Sequence, residues 1–239
     1  MNTFDTQLMS REVVAEGTSA FHFSKPDGFV FKPGQAIDLV LELPGQQGEA
    51  ARHAFSLVSA PFEDELVVAT RMRDSLYKRA LGALPAGAMA RIEGPFGSLT
   101  LHGDRTRPAV FLAGGIGITP FMSMLRQAAR DGHAREFILI YSNRRPEDAA
   151  FLDELQAIAQ QNKGVRVIAT MTDIARSKRP WDGRAGAINE ALIASVVSAG
   201  PAPVYYVVGP PGMVESLRGM LNRMGIGDDD IRSEEFYGY

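Results

Sequence analysis

The middle of the chain carries residues whose types and spacing suit the binding of a phosphate group. A short apolar strand, Ala109 to Leu112, runs into Gly114-Gly115-Ile116-Gly117, and a helix with apolar spacing begins at Thr119-Pro120. Glycines let the backbone approach a ligand, and free N–H groups at a helix start face the anion. The pattern therefore predicts a dinucleotide site that includes Gly114, Gly115, Gly117 and Thr119.

Two later strands of the same half end in residues that suit the same crevice, because the carboxyl ends of parallel strands face the ligand. The first ends in Ser142-Asn143-Arg144-Arg145 and the second in Gly209-Pro210-Pro211-Gly212. The end of the first of these strands offers a hydroxyl and two cations and has no acid before Glu147, which favours the 2′-phosphate of NADP. The basic stretch Arg176 to Arg179, after the next strand along the chain, favours it too. NAD remains possible, since both basic clusters could be solvated loops. The expected contacts are Ser142, Arg144, Arg145, Gly209, Pro210 and Gly212.

Two stretches of the first half also suit a phosphorylated ligand. In Arg52-His53-Ala54-Phe55-Ser56-Leu57, a guanidinium can grip a pyrophosphate, while an aromatic ring and a small hydroxyl can contact a heterocycle. Between Arg71 and Arg79 four cations fall within nine residues, where a strand gives way to a short helix. The alternatives are an exposed strand with an incidental arginine and a solvated basic face.

Composition excludes several classes of site. The 239 residues contain no cysteine, which excludes disulfides, a thiolate nucleophile and a cysteine-ligated iron–sulfur cluster. The four histidines, His22, His53, His102 and His133, lack metal-ligand spacing, so we expect surface or turn histidines and no metal. A net charge of −3, no apolar run of membrane length and no signal-like N-terminus predict a cytoplasmic protein without nucleic-acid or membrane partners.

The spacing of apolar residues divides the chain into two halves. Residues 1–103 show period two between Gly/Pro turns such as Pro44-Gly45, which predicts an antiparallel β-barrel. A polar linker, His102 to Pro108, precedes residues 108–239, where alternating strands and helices predict an α/β domain with a parallel sheet and helices on both faces. The predicted barrel elements are strands 36–43, 65–70 and 89–93 and a helix near 76–84. The predicted strands of the second half are 109–112, 137–141, 165–170 and 204–208, and its helices are 120–130, 146–160, 188–198 and 212–224.

These pieces, in this order, resemble the ferredoxin–NADP reductase superfamily, which joins an N-terminal flavin-binding barrel to a C-terminal nicotinamide-nucleotide domain. The flavin motif of that family is Arg, any residue, Tyr or Phe, then Ser or Thr; here Arg52, Phe55 and Ser56 fit it with one extra residue. The further matches are Gly94-Pro95-Phe96-Gly97, Gly114 to Pro120, Gly209 to Gly212, and Glu234-Glu235-Phe236. Two departures are Phe55 for the commoner tyrosine, and a second flavin motif that lacks its glycine and has Lys78 near its hydroxyl position.

The resemblance implies an FAD-containing, NAD(P)H-dependent oxidoreductase without an iron–sulfur domain. It would pass a hydride from the nicotinamide to the flavin, and then electrons to a separate protein such as a ferredoxin, flavodoxin or oxygenase component. Alternatives are reduction of a small acceptor (ferric chelate, oxygen or dye) and a non-enzymatic regulatory subunit. The resemblance assigns catalytic roles to Ser56, Thr119, Glu234 and Phe236, with Phe236 on a last short strand. The flavin contacts it implies are Arg52, Phe55, Ser56, Leu57, Arg71, Met72, Arg73, Ser75, Lys78 and Phe236.

Overall fold

The computed structural model describes residues 2–42, 50–132, 135–197 and 200–237. Four sequence predictions fall wholly or partly outside these ranges, namely the end of a strand at Leu43, the turn Pro44-Gly45, the surface or turn position of His133 and the end of a helix at Ser198.

The first half is a six-stranded antiparallel sheet in the order β4-β3-β6-β1-β2-β5. Val58 N–H donates to Val67 O at 2.8 Å just beyond β4, so that the two edges meet and the sheet closes as the predicted barrel. Alternate residues such as Ile37, Leu39 and Leu41 point into one apolar core. Its elements are β1 (Asn2–Ala15), β2 (Thr18–Ser24), β3 (Ala36–Glu42), β4 (Ala50–Ser56), β5 (Glu65–Arg71), α1 (Leu76–Ala83) and β6 (Met89–Phe96).

The second half is a six-stranded parallel sheet in the order β10-β9-β8-β7-β11-β12, with helices on both faces as predicted. One core packs α2 and α3 against the sheet, and the other packs α4 and α5 against its opposite face. The strands are β7 (Ala109–Gly114), β8 (Phe137–Asn143), β9 (Val165–Met171), β10 (Arg184–Ala185), β11 (Val204–Gly209) and β12 (Ile231–Glu235). The helices are α2 (Thr119–Asp131), α3 (Leu152–Gln161), α4 (Glu190–Val196) and α5 (Pro211–Arg223).

Three details differ from the sequence predictions. The helix predicted from Pro146 begins only at Leu152, because a short 3₁₀ turn over Pro146–Asp148 ends at the non-helical Ala149 and Phe151 adopts a left-handed backbone with φ 60°. Strand β10 was not predicted, since two exposed residues carry no periodic signal. Phe236 lies one residue beyond β12, and its N–H donates to Gly209 O at 2.9 Å.

The segment between the two sheets is held tightly, and His102, which was expected at the surface or in a turn, lies in this loop but away from solvent. His102 is buried, and its Nδ1 lies 2.8 Å from the hydroxyl of Tyr206 on β11. Arg107 donates to Ala202 O at 2.7 Å and pairs with Asp230 at 2.6 Å. None of the helices in the described ranges has the length and apolar character that a bilayer crossing requires.

Candidate functional site

A cavity of about 660 Å³ lies where the barrel faces the first turn of the parallel sheet; we term it the barrel-side cavity. Strand β4, the start of α1, the turn after β7 and the chain after β12 all contribute to its wall. Elements far apart in sequence therefore converge on one ligand-sized space. The predicted residues among its lining are Phe55, Ser56, Arg71, Arg73, Ser75, Lys78, Thr119, Glu234 and Phe236.

A second cavity, of about 520 Å³, lies at the carboxyl ends of the parallel strands; we term it the sheet-edge cavity. The chain order of the strands reverses between β7 and β11, and a crevice opens outside the sheet at such a switch point. Gly114 on β7 and Gly209 on β11 lie side by side at this point. The predicted residues among its lining are Arg71, Arg73, Gly114, Gly115, Ser142, Arg144, Pro210 and Gly212.

The two cavities adjoin. Arg71 and Arg73 line both, and the turn after β7 presents Gly115 to one cavity and Ile116 to the other. Gly115 has φ 53°, a left-handed conformation that favours glycine. Two ligands bound here would therefore meet at a wall made of arginines and a glycine turn.

The barrel-side cavity holds polar groups that the protein itself does not satisfy. Ser56 is 5% exposed, and its Oγ has no hydrogen-bond partner among the described residues. Lys78 is 9% exposed; its Nζ donates to Thr70 Oγ1 and lies 4.7 Å from the centre of the Phe55 ring. Burial lowers the pKa of Lys78 to about 8. A buried hydroxyl without a partner and a buried cation fit a polar, anionic ligand.

The wall opposite α1 combines Thr119, Glu234 and Phe236. Thr119 is 2% exposed, and its hydroxyl donates to Ile116 O at 3.1 Å, which fixes it at the start of α2. Burial raises the pKa of the Glu234 carboxyl. Phe236 is half-buried against the core beneath the turn. The arrangement brings an aromatic ring and a group able to hold a proton to one side of the cavity.

At the sheet-edge cavity, an acidic residue that sequence reasoning missed lies beside the predicted cations. Parallel pairing of β8 with β9 brings Asp173 next to Arg144, whose carbonyl accepts from Asp173 N–H at 2.8 Å. One carboxylate oxygen of Asp173 lies 3.6 Å from the guanidinium of Arg144 and 3.6 Å from that of Arg176. The end of β8 has no acid before Glu147, as predicted, but strand pairing brings in Asp173 from 29 positions beyond Arg144.

Six predicted residues lie outside the lining of both cavities, namely Arg52, Leu57, Met72, Gly117, Arg145 and Gly209. Leu57 belongs to the barrel core, and Gly117 packs so closely on β11 that a Cβ would lie 2.5 Å from Val208 O. Arg145 donates to both carboxylate oxygens of Asp148, at 2.8 and 3.0 Å. Gly209 still lies beside Gly114 at the switch point, and the ligand contacts of all six residues stay predictions.

Comparison with known proteins shows that the chain is similar to reductases of nicotinamide nucleotides. Residues 111–219 match the family described as the oxidoreductase NAD-binding domain. Ferredoxin–NADP reductase B of Sorangium cellulosum is 31% identical over 245 residues, which cover 98% of this chain and 97% of that relative. The reductase component of propane 2-monooxygenase from Mycolicibacterium goodii is 29% identical over 219 residues, which cover 89% of this chain and 61% of that relative.

The chain belongs to the ferredoxin–NADP reductase superfamily. A ferredoxin NADP+ reductase structure from Neisseria gonorrhoeae, with bound FAD and NADP, has the same fold with a TM-score of 0.83, 23% identity and 98% of both chains covered. Membership confirms the predicted two-domain fold and an oxidoreductase of FAD and a nicotinamide nucleotide. In coarse terms the chain is an NAD(P)H-dependent flavin reductase that hands electrons to a further acceptor, and the non-enzymatic interpretation is wrong.

The superfamily motif also identifies a residue that the sequence prediction passed over. Counting back from Phe55-Ser56 at the motif's shortest spacing reaches His53, not Arg52. His53 lines the barrel-side cavity and stacks on Phe55 with ring centres 4.7 Å apart. The guanidinium of Arg52 instead lies 2.8 Å from Glu93 and 3.8 Å from Asp38. The extra residue in the motif is the sequence signal that makes His53 a second candidate, and the flavin contact of Arg52 stays a prediction.

Proposed function

We propose that this chain is an FAD-dependent NAD(P)H reductase that delivers electrons to a separate protein, such as a ferredoxin, a flavodoxin or an oxygenase component. One observation carries the proposal: two ligand-sized cavities adjoin at Arg71 and Arg73, one against the barrel and one at the switch point of the parallel sheet. Hydride transfer requires the reacting atoms to approach within about 3–3.5 Å. Because the two cavities share a wall, a flavin in one and a nicotinamide in the other can approach to such a distance.

The residues of the barrel-side cavity fit a flavin. FAD bound there would accept a hydride and release electrons singly, chemistry that no side chain supplies. Ser56 Oγ, buried without a partner, would donate to or accept from the ring edge. Phe236 would cover one ring face, and Thr119 would shape the nicotinamide approach from the start of α2. Glu234, whose pKa burial raises, would hold a proton beside the ring.

The sheet-edge cavity fits a nicotinamide dinucleotide, and we infer a preference for NADPH. Gly114 and Gly115 open the switch point to a pyrophosphate, as the superfamily motif implies. Arg144 and Arg176 flank Asp173, so two cations face one carboxylate and the cluster keeps a net positive charge. A 2′-phosphate would complement that excess charge. The name of the Sorangium cellulosum relative, a ferredoxin–NADP reductase, supports the same preference.

A protein acceptor is supported by the relatives and by composition. The chain spans nearly the whole of the Sorangium cellulosum ferredoxin–NADP reductase and about three fifths of the Mycolicibacterium goodii oxygenase reductase. It contains no cysteine, so it cannot itself hold a cysteine-ligated cluster that would relay electrons.

Anaerobic titration of the purified protein tests this proposal. A yellow protein whose visible absorbance is bleached by NADPH, and restored by a ferredoxin, flavodoxin or oxygenase component, is the expected result. Absence of bound flavin, or a flavin that neither NADPH nor NADH reduces, would contradict it. Faster turnover with ferric chelates, dyes or oxygen than with all three classes of protein would favour the small-acceptor alternative.

A further inference from the structure

The barrel-side cavity contains a buried ammonium group that forms no salt bridge with a carboxylate of the described residues, although Glu234 and Glu235 also line this cavity. Lys78 is 9% exposed; Thr70 Oγ1 accepts from its Nζ, and the Phe55 ring lies 4.7 Å away. Neither contact neutralises a charge, although the ring face offers weak attraction. Desolvation is the cause that lowers its pKa to about 8. A cation buried in this way is costly unless an anion joins it, and Lys78 lines the cavity in which a ligand would sit.

The neighbouring basic groups of strand β4 cannot take the role of phosphate ligand. The guanidinium of Arg52 lies outside the cavity lining, 2.8 Å from Glu93. His53 lines the cavity, but its Nδ1–H donates to Ala54 O at 3.0 Å. In the neutral ring Nε2 is then an acceptor, which cannot donate to an oxyanion. Burial and the charge of Lys78 both lower the pKa of His53, which favours that neutral form.

We propose that Lys78 binds a phosphate group of the flavin nucleotide, and that it does so in place of Arg52. The proposal rests on the proposed function and narrows it to one residue. Helix α1 supports this placement, because Ser75 caps the helix and its Oγ accepts from Lys78 N–H at 3.2 Å. The cap holds the lysine backbone in the first turn, from which the side chain reaches the cavity. The cation that binds the flavin phosphate is therefore on helix α1 in this chain, whereas the superfamily motif places it on strand β4.

The consequence is a preference among flavins that depends on Lys78. FAD carries phosphates and riboflavin carries none, so only FAD gains from the ammonium group. A hydrogen bond between charged groups in a buried site corresponds to roughly tenfold to a hundredfold in affinity. Lys78→Met keeps the length of the apolar stem and removes the charge. This variant should lose that factor for FAD and keep its affinity for riboflavin.

The test exchanges the bound FAD of the purified holoprotein against excess riboflavin and measures the ratio of the two affinities by flavin fluorescence after ultrafiltration. Lys78→Met and Lys78→Gln should lower the ratio at least tenfold. Two matched controls should leave the ratio unchanged: Arg52→Met, and Arg79→Met on the same helix, where Arg79 is exposed and paired with Asp74. Both affinities are measured in the same sample, and only folded protein binds either flavin, so unfolded protein does not change the ratio.

Three results would overturn the inference. An unchanged ratio in both Lys78 variants would show that the ammonium group does not contact a phosphate. An equal loss of FAD and riboflavin would show that Lys78 acts on the ring or on the fold. A ratio that falls with Arg52→Met would return the role to Arg52. If the wild-type protein holds no flavin at all, the proposed function fails as well, whereas the other results leave it standing.

Discussion

The balance of charge around Asp173 gives a quantitative prediction for the choice between NADPH and NADH. The carboxylate lies 3.6 Å from both Arg144 and Arg176, whose side chains are 65% and 73% exposed. At that exposure the dielectric is close to that of water, and one pair at 3.6 Å is worth about 1 kcal/mol. A 2′-phosphate carries about −1.5 to −2 charges, so its attraction to Arg144 would be up to about twice as large.

We therefore expect Arg144→Ala to lower the ratio of kcat/KM for NADPH over NADH about tenfold, since roughly 1.4 kcal/mol corresponds to a factor of ten. Asp173→Asn should raise the same ratio several-fold, because it removes a carboxylate that competes for both arginines and repels the phosphate. Both effects should shrink in 0.5 M salt, where exposed charges are screened.

Steady-state kinetics with both donors measures the ratio, and Lys163→Ala serves as the control. Lys163 is exposed and precedes β9, at the opposite end of the strand from Asp173, so its loss changes net charge without touching the crevice. An unchanged ratio in Arg144→Ala, or a lower ratio in Asp173→Asn, would refute the assignment of this cluster to the 2′-phosphate.

Three further predictions concern the chain after β12, the glycine turn after β7 and the Glu234 carboxyl. Truncation after Glu235 removes Phe236 and should alter the flavin reduction rate or nicotinamide affinity in stopped-flow experiments without lowering the thermal midpoint of the barrel; unchanged kinetics would exclude a role for the tail. Gly117→Ala places a Cβ 2.5 Å from Val208 O and should destabilise the fold by about 1–3 kcal/mol in denaturant titration. The control is Gly132→Ala, where φ is 63° and no atom lies near the added Cβ, so that it measures the cost of the left-handed backbone alone. Burial raises the pKa of Glu234, so its neutral form persists above the usual carboxyl range and is lost as pH rises; Glu234→Gln should flatten that limb of the pH–rate profile, and an identical limb would assign it to another group.

Periodicity predicted most of the fold because each half follows one rule. Strands such as β7 and β11 are buried on both faces and stand out as apolar runs, and the glycine turn after β7 marks the switch point. The rule does not reach β10, which has two exposed residues, or the break at Phe151, which depends on the left-handed backbone of a single residue. The spacing of apolar residues predicts an element where several of its residues are buried in a regular pattern. It does not predict a boundary that depends on the backbone conformation of one residue.

Site prediction fell short for a different reason, which is the pairing of charges across distant segments. Arg52 lies one residue before the shortest spacing of the superfamily motif, and Arg145 follows the end of a parallel strand, so both are basic residues near favoured positions. The fold, however, places Glu93 within 2.8 Å of Arg52 and Asp148 within 2.8 Å of Arg145, so both guanidinium groups already have carboxylate partners. In the sequence, Lys78 is one of four equal candidates for the pyrophosphate contact, together with Arg71, Arg73 and Ser75.

Only the fold shows that Lys78 is buried and forms no salt bridge with a carboxylate of the described residues, while His53 beside it stacks on Phe55 and turns one nitrogen to the backbone. The value of a cation to a phosphate depends on what else neutralises it, because an ion pair already formed must be broken before a new one is made. A basic residue is therefore a strong ligand candidate when it is buried, borders a cavity and lacks a carboxylate, and in the barrel-side cavity that argument selects Lys78 over Arg52.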